Sequence, residues 1–144
     1  MRRVAAEIGV TQPVLYSAYA GGRQALVDSV AVAGFSAIAE VLESVEAELR
    51  ARMRAYLDFA RTHPRVYEAM FSMPSGLPFG TGGGPEPLRR AFAAIRAALP
   101  DGNVIEAEVV WATVHGLATL EISHRLPAPQ ADARLAHAHK MLTG

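Results

Sequence analysis

The chain has no cysteine, and that absence removes three kinds of chemistry together: disulfide scaffolding, thiolate metal sites and a cysteine nucleophile. It fits a reducing compartment. Net charge is also missing, with 14 basic residues against 14 acidic ones, which argues against indiscriminate adhesion to nucleic acid. No uncharged apolar run reaches the 18 or so residues of a membrane span, and Met1-Arg2-Arg3 leads into no signal-type stretch. The reading is a cytoplasmic protein without membrane attachment. Neither a Gly-x-Ser-x-Gly elbow nor a phosphate-binding loop occurs. Glu121 and His124 have the Glu-x-x-His spacing of carboxylate-bridged di-metal bundles, but no second copy exists. His137 and His139, two apart, point to different sides of a helix. No catalytic residue, metal or cofactor is expected, and the chain does not read as an enzyme.

Apolar surface is what the sequence has in quantity. Hydrophobic residues make up 51% of its 144 positions and charged residues 19%, the profile of one globular unit large enough to bury roughly 68–70% of its unfolded surface. Surplus apolar area of this kind usually belongs to an interface.

The most patterned stretch is Val4 to Tyr19. Val4, Ala5 and Ile8 form one helical stripe; Gly9 suits a helix C-terminus, and Val10 is the buried residue of the turn. Thr11 is a good N-cap, and Pro13 fits a first helical turn. Leu15 can then pack back on Ile8 while Gln12, Pro13, Tyr16 and Ser17 face away. Two helices joined by a short glycine turn make either an ordinary helical hairpin or a helix-turn-helix, whose second helix enters a DNA major groove. The outward residues suit the second use: glutamine reads an adenine edge, proline touches a thymine methyl, and hydroxyls bond phosphate oxygens. Residues 1–26 carry Arg2, Arg3 and Arg23 against Glu7 alone, a modest positive field that two copies acting together would reinforce.

The stretch from Val4 to Leu26 resembles the DNA-binding region of the TetR family of transcriptional regulators, through Val4-Ala5, Gly9-Val10-Thr11, Leu15-Tyr16, Tyr19, Arg23 and Leu26. The resemblance implies phosphate contacts from Thr11 and Tyr16, base contacts from Gln12, Pro13 and Ser17, and a further backbone clamp from Arg23. The family's bracing first helix has no counterpart ahead of Val4, so an N-terminally truncated member with Met1 as an internal residue is expected. The Ala20-Gly21-Gly22 linker is one residue longer than the usual spacing.

From Arg23 to about Leu42 the pattern is one long amphipathic helix, with Leu26, Val30, Ala33, Ala37, Ile38, Val41 and Leu42 on its apolar face. Glu40, Glu43, Glu46 and Glu48 followed by Arg50, Arg52 and Arg54 read as a solvated helix junction near Ser44. A helical stripe then runs from Leu49 to Thr62, where Pro64 stops it and opens a short helix with Val66, Tyr67, Met70 and Phe71. The segment 73–87 is too rich in glycine and proline for a regular element. Leu88, Phe92, Ile95 and Leu99 mark a helix that Pro100-Asp101-Gly102 ends. Residues 103–124 are apolar all round, so that helix needs cover on both sides, one of them from a second subunit. A last helix covers about Gln130 to Leu142. Trp111 and His115 share one face and look into one space; Gly116 beside them admits a close neighbour. A hydrogen-bonded core role for His115 stands beside a ligand-contact role.

Two further segments, AYLDFARTHPRVYEAMF and VVWATVHGLATLE, are similar to the C-terminal regulatory domain of a TetR subset named for a Trp-His-Gly motif, held here by Trp111, His115 and Gly116. Taken together, the resemblances imply an all-α chain: residues 1–43 as helix-turn-helix region with connecting helix, and 44–144 as an effector-binding and dimerisation bundle. In such proteins the core cavity binds a small-molecule effector, and facing and size put Tyr56, Met70, Phe71, Phe92, Trp111, His115 and Thr119 near it. A homodimer interface would run through Val114, Ala118, Ile122, Leu135, Ala138, Met141 and Leu142. The implied activity is release of a pseudo-palindromic operator on effector binding, the chain acting as a repressor; the alternative is a helical ligand- or protein-binding dimer that has lost DNA contact with its first helix.

Overall fold

The computed structural model describes residues 22–72 and 84–144. The expectations for Thr11, Gln12, Pro13, Tyr16 and Ser17, and for most of the glycine-rich segment, lie outside the described residues. Six α-helices and a short 3-10 turn make up the described part: α1 (Gly22–Glu43), α2 (Leu49–Thr62), α3 (Pro64–Met70), α4 (Glu86–Arg96), α5 (Val104–Ile122), the turn Ala128–Gln130, and α6 (Ala131–Thr143). The class is all-α, as expected.

Local chemistry explains the boundaries. Glu48 caps α2, its carboxylate accepting from the backbone N–H groups of Arg50 at 2.9 Å and Ala51 at 2.8 Å. Those bonds hold its carboxyl below the usual range. Pro64 sits in the first turn of α3, where a missing donor costs little. Asn103 caps α5 by accepting from the Glu106 N–H at 3.1 Å. The helix expected to reach Leu99 ends at Arg96, and the chain tightens through i→i+3 bonds from the N–H groups of Ala98 and Leu99.

Helix α1 packs along α4 and α3, while α2 crosses α5 and α6. The buried stripe of α1 is Leu26, Val30, Ala31, Gly34, Phe35, Ile38, Ala39 and Leu42; Ala33 is exposed. Gly34 has a specific packing role. A Cβ built there would lie 2.5 Å from Met70 Cγ and 2.9 Å from Val66 Cγ1, so the glycine lets α3 seat directly on α1. Phe35 and Phe71 meet edge-on at 5.5 Å beside that contact.

Helix α1 is also long and apolar enough to cross a membrane by length and composition, although no uncharged run in it reaches 18 residues, since Arg23, Asp28, Glu40 and Glu43 lie within its 22 residues. Its Leu26, Val30, Ile38 and Leu42 are at most 2% exposed in the bundle core, which is the physical use of that apolarity here.

Two charged clusters tie the bundle together. Arg52 is not a solvated junction residue: it is buried, donating to the carbonyls of Ala94, Glu46 and Val45, and so fixes the α1–α2 turn to α4. Glu121 of α5 receives Arg61 Nε of α2 at 2.8 Å, and Arg134 of α6 approaches it at 3.4 Å. Its side chain is only 9% exposed, and both its oxygens are engaged by guanidinium groups rather than offered to a metal. His124, its expected partner in the Glu-x-x-His spacing, is exposed in a left-handed turn at φ 58°.

Candidate effector cleft and outward helix face

Pro64 starts α3 so that Tyr67, one turn in, faces α5 and α2 while Met70 and Val66 face α1. A line of hydroxyls results. The Tyr56 and Tyr67 hydroxyls lie 2.7 Å apart, and the Tyr67 hydroxyl lies 2.7 Å from His115 Nδ1. Tyr56 and Tyr67 are 0% and 1% exposed, and burial pushes both phenols above their ordinary range. His115 is half-buried, and loss of solvation lowers its pKa, which favours the neutral imidazole.

At the His115 end the chain of hydrogen bonds opens on a cleft of about 270 Å³ between α3 and the C-terminal half of α5. Phe71 lies against the imidazole at 4.2 Å between ring centroids, and Tyr67, Thr119 and Ile122 complete the inner wall. Nε2 of His115 has no hydrogen-bond partner among the described residues.

The seven residues expected near an effector divide into two groups. Phe71, His115 and Thr119 border the cleft. Tyr56, Phe92 and Trp111 form a stack behind it, Trp111 meeting Tyr56 edge-on at 5.7 Å and Phe92 at 6.1 Å; Met70 packs under α1. That interior is closely packed: the space among Met53, Tyr56, Ile95, Val110 and Val114 has no room for a water molecule. Sequence reasoning missed Tyr67, Glu68, Ser72 and Ser123 as cleft residues and had placed Ile122 at an interface. The signal was present in two tyrosines flanking Pro64, since a buried phenol needs a partner.

A larger groove of about 700 Å³ lies at the ends of α2, α4 and α6. Of the polar groups that line it, Glu48 is committed to the α2 cap and to His139 Nε2 at 3.6 Å, and Asp101 and Glu106 lie at its edge. The smaller cleft is the better candidate because a buried polar chain converges on it.

Of the expected interface residues, Val114, Ala118 and Leu135 are at most 2% exposed and lie in the protomer's own core. Each has no area left to bury against a partner. Ile122, Ala138 and Leu142 flank that core, and Met141 is exposed. The apolar outer stripe of α5 is Ile105, Val109 and Leu120, with Ala112 and Gly116 between. The 66%, 49% and 43% exposure of the three large residues is far above the core's. Arg23, the one expected DNA contact among the described residues, is exposed in the first turn of α1.

A family model described as tetracyclin repressor-like, C-terminal domain, matches residues 49–143, which takes in α2 through α6 and every described residue of the cleft. The chain belongs to this family. No curated protein and no solved structure matches it. As a TetR-like chain it carries the regulatory part of a transcription regulator's architecture, and α1 leads from that part toward the N-terminal stretch.

Proposed function

We propose that this TetR-like chain is a ligand-responsive, DNA-binding repressor, working as a cytoplasmic homodimer on a pseudo-palindromic operator and released by a small-molecule effector. The observation that carries the proposal is the tetracyclin repressor-like match over residues 49–143, joined to a cleft in which a buried hydrogen-bonded chain ends on His115. DNA contact is assigned to Thr11, Gln12, Pro13, Tyr16, Ser17 and Arg23, and effector contact to Phe71, His115 and Thr119 with Tyr67. Trp111 and Gly116 are assigned with His115 to the Trp-His-Gly type of regulatory domain.

The packing supports a route between the two sites. One face of α3 carries Tyr67 and Glu68 to the cleft, and the other seats Met70 and Val66 on Gly34 of α1. A ligand that moves α3 must move α1, because close-packed side chains transmit displacement rather than absorb it. Tilting α1 in both protomers changes the separation of two recognition helices that must span roughly 34–36 Å on DNA. The effector then releases DNA in proportion to its differential affinity for the two states. Self-association is assigned to the outward stripe Ile105, Val109 and Leu120 with Met141, flanked by Ile122, Ala138 and Leu142.

Variant binding tests the assigned roles. Tyr16→Phe should weaken affinity for all duplex sequences alike and leave sequence preference intact, whereas Gln12→Ala should relax preference at one base pair. Equal effects of both on every sequence would overturn the assignment.

A further inference from the structure

We propose that Tyr56, Tyr67 and His115 form a chain of fixed direction that presents an N–H donor to the cleft, making it selective for an uncharged, ring-sized ligand with a carbonyl-type oxygen. This rests on the cleft being the effector site. The direction follows from the buried end. Tyr56 is fully buried, and Tyr67 is its hydroxyl's hydrogen-bond partner among the described residues. If Tyr67 donated to Tyr56, the Tyr56 hydrogen would be left in the aromatic core without an acceptor, the costly arrangement. Tyr56 therefore donates to Tyr67, and the Tyr67 hydrogen is free to donate to His115 Nδ1. A neutral imidazole that accepts at Nδ1 carries its proton on Nε2. Burial, which disfavours the imidazolium, acts in the same sense.

The lining sets the rest of the ligand's character. Glu68 is the one charged side chain among the described residues of the cleft, and it pairs with Arg65 at 3.0 Å. An anionic ligand would meet that ion pair and no further cation among the described wall residues. The donor thus matches a neutral oxygen rather than a carboxylate. The Phe71 ring against the imidazole and the Ile122 side chain give an apolar wall, and about 270 Å³ admits a single substituted ring.

The test uses the full chain labelled with 15N-histidine, His115 being assigned by comparison with His115→Gln. Nitrogen chemical shifts should show a protonated Nε2 and an unprotonated Nδ1; the opposite tautomer would overturn the proposal. In Tyr67→Phe the His115 nitrogens should shift toward a mixed tautomer, and an unchanged pattern would show that Tyr67 does not set it. Acetophenone, α-methylstyrene, in which CH2 replaces the oxygen, and benzoate are then titrated, with His115 resonances and the single tryptophan's fluorescence as readouts. Acetophenone should bind about five- to tenfold more tightly than α-methylstyrene, and benzoate most weakly. Equal affinities, or benzoate binding most tightly, would refute the ligand class. If Nε2 is protonated and no probe perturbs His115, the cleft reading itself fails and takes the ligand class with it, while the direction of the chain stands.

Discussion

Replacing Gly34 by alanine measures how tightly α3 is held on α1, the contact through which an effector would reach the N-terminal stretch. Two effects oppose each other. Alanine in a helix interior gains about 1 kcal/mol over glycine. The added methyl, however, would lie 2.5 Å from Met70 Cγ, 2.8 Å from its sulfur and 2.9 Å from Val66 Cγ1. Both neighbours are only 2% exposed, and Val66 is β-branched with little freedom at χ1. Overpacking of this kind costs about 1–3 kcal/mol, and with two constrained neighbours the upper part of that range applies. The net expectation is a loss of about 1–2 kcal/mol, seen as a lower urea midpoint with an unchanged slope and a melting temperature lower by about 3–7 °C. In a Met70→Ala background the same Gly34→Ala change should become neutral or stabilising, since the space it needs has been opened. A Gly34→Ala protein that gains about 1 kcal/mol by itself would show that the helices do not touch there, and the proposed route would lose its first step.

Other perturbations read other parts of the account. Tyr67→Phe, which strands the buried Tyr56 hydrogen, should destabilise by about 2 kcal/mol, and Tyr56→Phe, which leaves Tyr67 still able to donate to His115, by about 1 kcal/mol; equal losses would contradict the direction of the chain. The folded-state pKa of His115 lies below its ordinary value of 6.5, so the unfolded chain binds the proton first. His115 therefore lowers stability as pH falls through 6.5 toward its folded value, and His115→Gln should flatten that part of a stability-against-pH curve. An unchanged slope would remove the histidine from it. Glu121→Gln leaves Arg61 and Arg134 facing a neutral amide at a site where their side chains are 32% and 17% exposed; partial solvent screening brings the expected loss to about 1–2 kcal/mol, measured by denaturant titration. Val109→Glu on the outward face of α5 should give a folded monomer by sedimentation equilibrium where the parent chain is a dimer, and a parent that is monomeric at micromolar concentration would refute the self-association.

Much of the fold was legible because its signals are local. Pro64 announces both the end of α2 and the start of α3, and the stripe Leu88, Phe92, Ile95 places the buried face of α4. What could not be read depends on distant partners. Arg52 sits in a run of alternating charges that looks solvated, and the carbonyl that buries it, that of Ala94, is 42 residues away. Tyr67 looks like one more bulky residue on an apolar stripe until its hydroxyl is seen beside His115, 48 positions on. Helix α5 is the clearest case. Apolar on all sides, it offers no periodicity from which to choose an inward face, so Val114 and Ala118 were expected at an interface. The structure turns Ala107, Val110, Trp111, Val114 and Ala118 inward and leaves Ile105, Val109 and Leu120 outside.

Selection of the chain's preferred fragments from a random pool of double-stranded DNA, at physiological salt, addresses the central claim most directly. The account predicts enrichment of an inverted repeat whose half-sites are centred about one helical turn or a small multiple apart, bound with a steep dependence on salt. A pool that emerges with no enriched sequence would contradict it.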